Sequence, residues 1–336
     1  MKLAVVTGIG GQDAPFLIKL LIEKGYRVIG TDRRRSSSID NRFHYLGIEG
    51  KFECVSLDLL EESNINYFFR KYQPDEFYNL AAQSFVKASF DQPLLTADVD
   101  ALGVLRLLEA IRIFSPKTRF YQASTSELFG LVQQIPQSEV TPFYPRSPYG
   151  VAKQFAHWIV INYRESYGLF ACSGILFNHE SELRGIQFVT RKITNAVAQV
   201  KLGRGKVLEL GNLDAKRDWG YAKDYVLGMY LMLQQEKPED YVLATGITTS
   251  IRKFVELAFE VIGINISWKG SEVDEVGYNV ETGEILVRVN PEYYRPAEVD
   301  LLIGDASKAE KILGWKPRIT LKEMIQIMID YDLTSN

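Results

Sequence analysis

The chain has 336 residues, 46% of them hydrophobic and 24% charged, with a formal net charge of -3. That balance is ordinary for a globular protein and long enough for a large core or two lobes. It supplies no basic field for nucleic acid, and no stretch reaches the roughly 18 consecutive apolar residues of a membrane span.

Cys54 and Cys172 each lie in an apolar, strand-like run. They read as two buried free thiols rather than a disulfide or a metal pair. With no signal-peptide pattern at the start, a cytoplasmic protein is expected. His44, His157 and His179 are scattered without metal-ligand spacing, so no metal is expected.

Lys2 to Thr7 is a short apolar run that reads as a buried parallel strand. A glycine turn, Gly8 to Asp13, follows. Leu17, Leu20 and Leu21 then repeat at helical spacing, with Gly25 as the stop. A second strand spans Tyr26 to Thr31. Strand, glycine turn, helix and strand form the first unit of a doubly wound nucleotide-binding fold.

The alternation continues. Strands are expected at Phe52 to Leu57, Glu76 to Ala81, Arg119 to Ala123 and Phe170 to Phe177. Helices are expected at Glu62 to Lys71, Ala97 to Phe114 and Tyr149 to Tyr167. This pattern predicts an α/β, Rossmann-like parallel sheet with both faces covered. Asn178 to Gly185 is polar and reads as a loop. Helices follow at Phe188 to Leu202, Asp224 to Gln235, Ser250 to Ile262 and Leu321 to Tyr331. Strands follow at Lys206 to Leu210, Tyr241 to Ala244, Ile264 to Lys269 and Ile285 to Val289. The expected organisation is a dinucleotide-binding domain over 1–177, rejoined by segments near 212–246. The rest, 178–336, is expected to form mainly a smaller, discontinuous substrate-binding α/β lobe.

Gly8 and Gly11 allow the backbone to approach a pyrophosphate at a helix N-terminus. Ala14-Pro15 stands where a third glycine is usual, and proline is tolerated in a first helical turn. Two signals for the cofactor compete. Asp32 sits at the end of the second strand, where an acid binds the ribose hydroxyls of NAD. Arg33-Arg34-Arg35 and Ser36-Ser37-Ser38 follow at once. Arg34, Arg35 and Ser36 suit a 2′-phosphate through charge-assisted bonds. NADP is the expected cofactor, with NAD left open by Asp32.

Tyr149 and Lys153 stand at i and i+4 on one helix face. Ser147 is positioned to cap that helix and Pro148 to occupy its first turn. An ammonium beside a phenol lowers its pKa, which makes Tyr149 a candidate base. Thr125 is placed to bond the same substrate oxygen. Those three residues suffice to oxidise a hydroxyl carbon. Glu127 adds a carboxylate. Once a sugar C4 is a ketone, the C5 proton is acidified, and a carboxylate can remove it while the C6 hydroxyl leaves as water.

These residues resemble the extended short-chain dehydrogenase/reductases, and among them the GDP-mannose 4,6-dehydratase family. The likeness runs over nearly the whole chain. It is carried by Asn79-Leu80-Ala81-Ala82-Gln83-Ser84, Gln122 to Gly130, Asn178-His179-Glu180-Ser181, Phe188 to Ile193, Arg217-Asp218-Trp219-Gly220, Tyr294 to Asp300 and Leu313 to Pro317.

The resemblance implies an NADP-dependent lyase acting on a GDP-sugar, in a homodimer or homotetramer. GDP-mannose is the expected substrate. GDP-manno-heptose with the same chemistry, or an epimerase or reductase of nucleotide sugars, are the alternatives. The resemblance also places Gln12, Asp13, Asp58, Leu59, Ala82, Gln83, Ser84, His179 and Arg184 at the cofactor. Arg184 falls in a loop that can reach a neighbouring subunit. It places Ser84, Ser126, Glu127, Asn178, Val189, Lys192, Arg217, Arg295 and Glu298 near the GDP-sugar. The chain departs from the family's pattern at Gly10, Ala14-Pro15, Asp32 and Glu182-Leu183.

Overall fold

The computed structural model describes residues 1–33, 37–293 and 301–335. Six strands come first: β1 (Leu3–Thr7), β2 (Arg27–Asp32), β3 (Glu53–Ser56), β4 (Glu76–Asn79), β5 (Arg119–Ala123) and β6 (Ala171–Leu176). Eight more follow: β7 (Asn178–Glu180), β8 (Leu208–Leu210), β9 (Lys216–Tyr221), β10 (Tyr241–Leu243), β11 (Thr248–Ser250), β12 (Ile266–Lys269), β13 (Val276–Asn279) and β14 (Ile285–Val289).

The main sheet has seven strands in the order β10-β6-β5-β4-β1-β2-β3, and every pairing in it is parallel. Its strands are apolar because both faces are covered. Helices Asp13–Glu23 and Ala222–Leu233 lie on one face, with Leu17, Leu21, Met229 and Trp315 buried between them and the sheet. Helices Glu62–Tyr72, Gly103–Phe114 and Pro148–Tyr167 lie on the other, burying Phe68, Leu107, Ile111 and Val160. The chain runs outward from β1 to β2 and β3, then returns to place β4 on the other side of β1. The carboxyl ends of β1 and β4 therefore flank a crevice, the usual ligand position in such a sheet.

Two small sheets build the second lobe, β11-β9-β7 and β12-β13-β14-β8. Helices Val189–Lys201, Ile251–Val261 and Leu321–Ser335 pack on them around Ile193, Phe254, Val287 and Met328. Asp218 on β9 is fully buried and stitches the lobes. It accepts from Thr245 N and Oγ1, Gly246 N and Gly304 N at 2.7–3.4 Å.

Three expectations change. The long helix foreseen from Ala97 begins earlier and is broken. Helices Val86–Asp91 and Pro93–Ala97 lead into a π-helical turn at Asp98–Leu102, and only then does Gly103–Phe114 run as an α-helix. The polar stretch after Phe177 starts as a strand, because β7 pairs with β9. Cys54 is exposed and Cys172 buried. Cys54 lies on β3, the edge strand, which lacks a neighbour on its outer side.

Thr7 and Gly8 join β1 to β4. Thr7 Oγ1 donates to Asn79 Oδ1 at 2.7 Å and accepts from Leu80 N and Ala81 N, both at 3.0 Å. Gly8 has φ +68°, and a Cβ there would meet the Ala81 backbone at 2.9 Å. Neither the angle nor the contact can relax cheaply. Gly8→Ala is therefore expected to cost about 1–3 kcal/mol, read as a lowered urea midpoint with an unchanged slope.

Candidate active site

A cavity of about 650 Å³ opens at the carboxyl ends of β1, β4, β5 and β6, and the second lobe forms its outer wall. Its floor is the glycine turn. Gly11 N donates to Gly8 O at 2.9 Å. Arg42 donates to the carbonyls of Gly10 and Gly11, which leaves the N-terminus of helix Asp13–Glu23 facing the cavity. Pro15 falls in that helix's first turn, where its missing N–H has no intrahelical partner. A floor with glycine at 8 and 11 at a helix N-terminus fits the pyrophosphate of a dinucleotide.

Gln12 and Asp13 tie this floor to the segment after β6. Gln12 Nε2 donates to His179 O at 2.7 Å, and Gln12 Oε1 accepts from Ser181 Oγ at 2.9 Å. His179 Nδ1 donates to Phe177 O at 2.8 Å, and its Nε2 meets Asp13 Oδ2 at 2.9 Å. Two acceptors for two ring nitrogens call for the imidazolium. Burial alone lowers the His179 pKa, but the Asp13 charge and hydrogen bond, with the Phe177 carbonyl, outweigh it and raise the value. The pair also neutralises Asp13 where an anion would sit.

Thr125, Ser126, Glu127, Tyr149 and Lys153 come together at the end of β5, all buried and all lining the cavity. Ser147 caps the helix Pro148–Tyr167 by accepting from Gly150 N at 3.0 Å. Thr125 Oγ1 accepts from Glu127 N at 3.2 Å, capping the short turn Ser126–Leu128 and aiming its carboxylate inward. Lys153 Nζ donates to Ala123 O at 2.6 Å and stands 6.0 Å from the Tyr149 ring centre.

The phenol pKa is not lowered. Burial raises it, the Asp100 charge adds to this, the Thr125 hydrogen bond opposes it, Glu127 raises it further and Arg184 lowers it. Lys153 is lowered by burial and raised by Asp100. Asp100 was not visible as a site residue in the sequence.

Ala82, Ser84, His179, Arg184, Asn178, Val189, Lys192 and Arg217 also line the cavity. Asn178 Oδ1 is buried without a hydrogen-bond partner. Lys192 Nζ sits 3.8 Å over the Tyr293 ring, and burial lowers its pKa. Arg184 pairs with Glu180 at 3.3 Å and stacks on Phe188 at 3.6 Å, inside its own chain. Phe188 and Tyr293 are cavity residues that sequence reading missed.

Asp58, Leu59 and Gln83 are not on the lining. Asp58 Oδ1 caps Leu60 N, and Gln83 spends its amide on Phe85 and Thr96. Arg34, Arg35, Ser36, Arg295 and Glu298 lie outside the described residues. Asp32 Oδ1 accepts from Arg33 N at 2.7 Å, turned onto its own backbone.

A family model described as GDP-mannose 4,6 dehydratase matches residues 5–328. The chain belongs to that family. It is 53% identical over 340 residues to the GDP-mannose 4,6-dehydratase of Sinorhizobium fredii (strain HH103), covering 99% of this chain and 97% of that protein. Two solved structures share the fold. The dTDP-glucose 4,6-dehydratase of Bacillus anthracis in complex with NAD superposes with TM-score 0.80 at 19% identity, covering 98% of this chain and 96% of that one. RMD from Pseudomonas aeruginosa, complexed with NADPH, superposes with TM-score 0.78 at 21% identity, covering 99% and 100%.

Within this GDP-mannose 4,6-dehydratase family, the chain's departure at Glu182-Leu183 is absorbed internally. Leu183 enters the main core, and Glu182 accepts from Tyr221 at 3.1 Å and Tyr45 at 3.3 Å.

The His179 contribution has a definite sign. Its folded pKa lies above the unfolded 6.5, so its stabilisation is complete below that value and is lost as pH rises through the folded one. His179→Phe should cost roughly 1.5–3 kcal/mol at pH 6 and less at pH 9, checked by thermal melts at both pH values.

Proposed function

We propose that the chain is a GDP-sugar 4,6-dehydratase that converts GDP-mannose to GDP-4-keto-6-deoxymannose. The observation that carries this is a buried carboxylate, Glu127, sharing one wall of the cavity with Thr125, Tyr149 and Lys153. Oxidation at one carbon needs only the last three. The carboxylate supplies the base for elimination.

Gly8, Gly11, Gln12, Asp13, Ala82, Ser84, His179 and Arg184 are the residues we assign to the nicotinamide cofactor. When bound, it supplies the hydride acceptor for C4, the hydride returned to C6, and positive charge beside the phenol. Tyr149 Oη takes the proton of the C4 hydroxyl, and Thr125 Oγ1 steadies that oxygen. Lys153 keeps positive charge near the phenolate, which burial disfavours. Glu127 then removes the C5 proton, acidified by the C4 ketone, and delivers it to the departing C6 hydroxyl as water. Asn178, Val189, Lys192 and Arg217 hold the GDP-sugar on the opposite wall, joined by Ser84 and Ser126. Arg217 and Lys192 suit its pyrophosphate.

NADP is the form we assign, because Asp32 is turned onto the Arg33 N–H rather than outward and a run of arginine and serine follows it. A homo-oligomer also fits. The helix Pro148–Tyr167 exposes Val151, Phe155 and Trp158 on one face, beside exposed Leu94 and Leu102, an apolar stripe suited to a second copy. No helix among the described residues is long and apolar enough to cross a membrane, and we assign the enzyme to the cytoplasm.

Glu127→Gln is expected to lower formation of the dehydrated sugar roughly 10²–10⁴-fold and to abolish solvent-deuterium incorporation at C5. Product mass and proton NMR read both. Undiminished dehydration would remove Glu127 from the chemistry. Nucleotide released on denaturation should have the mass of NADP; NAD would overturn the cofactor assignment.

A further inference from the structure

The π-helical turn Asp98–Leu102 interrupts an otherwise regular helical stretch. Such turns re-aim a side chain and recur at functional sites. This one delivers Asp100 into the interior, where it is 1% exposed. Asp100 Oδ1 accepts from Gln83 N at 2.7 Å. Asp100 Oδ2 is buried and has no hydrogen-bond partner among the described residues. A buried carboxylate oxygen left in that state is costly unless a charge compensates it.

The compensation does not come from its own turn. Arg106 is spent on Asp98 at 2.7 Å and on the Leu59 carbonyl. The helix Pro148–Tyr167 packs against the turn and carries Tyr149 and Lys153. Lys153 is 3% exposed and has one hydrogen bond, to Ala123 O, although an ammonium has three donors. Burial raises the Asp100 carboxyl to about 6 and Lys153 opposes this; burial lowers Lys153 and Asp100 opposes that. The other charged groups facing this cluster are Glu127 from the turn after β5 and Arg184 from the segment after β7, both acting on the Tyr149 phenol.

We infer that Asp100 is a positioning residue: the buried counter-ion of Lys153, which holds that ammonium charged beside Tyr149. The inference rests on the dehydratase reading for its catalytic consequence. An uncharged acceptor would serve Gln83 equally well, so what the carboxylate adds is its charge, which acts on Lys153 across the packed helix. Its charge works against the phenolate directly and for it through Lys153. The pair therefore sets the upper edge of the working pH range.

The test is Asp100→Asn, which keeps an acceptor for Gln83 N and removes the charge. In protein labelled with ε-¹³C lysine, the Lys153 resonance (assigned by its loss in Lys153→Met) should titrate about one pH unit or more lower in the variant. The alkaline limb of kcat/KM should move down with it, with kcat affected more than KM. An unmoved Lys153 titration overturns the inference. So does lost activity with an unmoved pH profile, which would make Asp100 only an acceptor for Gln83. Should the variant not fold, the unmodified protein decides: its Lys153 signal must show a second, acid inflection where Asp100 titrates, and its absence overturns the inference. Failure of the unmodified protein to dehydrate GDP-mannose would sink the functional reading, while the Lys153 titration still tests Asp100.

Discussion

The contact between Asp13 and His179 is the constraint on which the cavity depends. It joins the start of the first helix to the segment in which the chain leaves the main sheet. His179 also stacks on Tyr225 at 4.7 Å, and Tyr225 meets Trp315 edge-on at 5.5 Å. Trp315 Nε1 donates to Asp224 O at 2.8 Å, while Asp224 Oδ2 accepts from Arg318 N and Ile319 N. A continuous path thus runs from the glycine turn to the Leu313–Pro317 segment, far along the sequence. Floor and wall of the cavity cannot move apart without breaking an ion pair and exposing the buried Tyr225 and Trp315 rings.

That rigidity matters because the site concentrates ionisable groups in a poorly solvated place. Tyr149, Lys153, Asp100 and Glu127 are all at most 9% exposed. For Tyr149, Lys153 and Asp100 burial, not a single neighbour, sets the leading shift. Simple pairing of Tyr149 with Lys153 predicts an acidified phenol, yet burial and Asp100 drive it the other way. The phenolate is therefore a state that positive charge must sustain; Arg184 already acts in that sense, and Lys153 is the group we propose for it.

Much of this was legible in the sequence, for identifiable reasons. Parallel strands covered on both faces are largely apolar runs, so β1 and β6 stand out. Tyr149 and Lys153 keep helical spacing, and their helix has a serine cap and a proline in its first turn. Other features carry no local signal. β7 is polar and exists because β9 is there to pair with it, a tertiary choice that overrides propensity. The helical period reads straight through Asp98–Leu102, so Asp100 looks like a solvated acid until the π turn rotates it inward. Gln83 sits in a family motif beside cavity residues, but its own side chain turns back to brace the loop. Cys54 has an apolar setting, yet an edge strand leaves it exposed. Where position along the chain decides the environment, sequence pattern serves; where a partner many residues away decides it, pattern is silent.

The fold itself does not choose the reaction. Solved structures that superpose over nearly the whole chain at 19–23% identity include 4-epimerases and a 4,6-dehydratase. The residues to which we assign the choice of reaction lie within a few positions at the end of β5. Thr125 Oγ1 already accepts from Glu127 N. The hydroxyl keeps a second lone pair and its hydrogen, and it also hydrogen-bonds the Tyr149 phenol. In the reaction we propose, the same threonine that caps the Glu127 turn steadies the oxygen that Tyr149 deprotonates. On that proposal, the residues for oxidation at one carbon and for elimination at the next meet at a single side-chain hydroxyl.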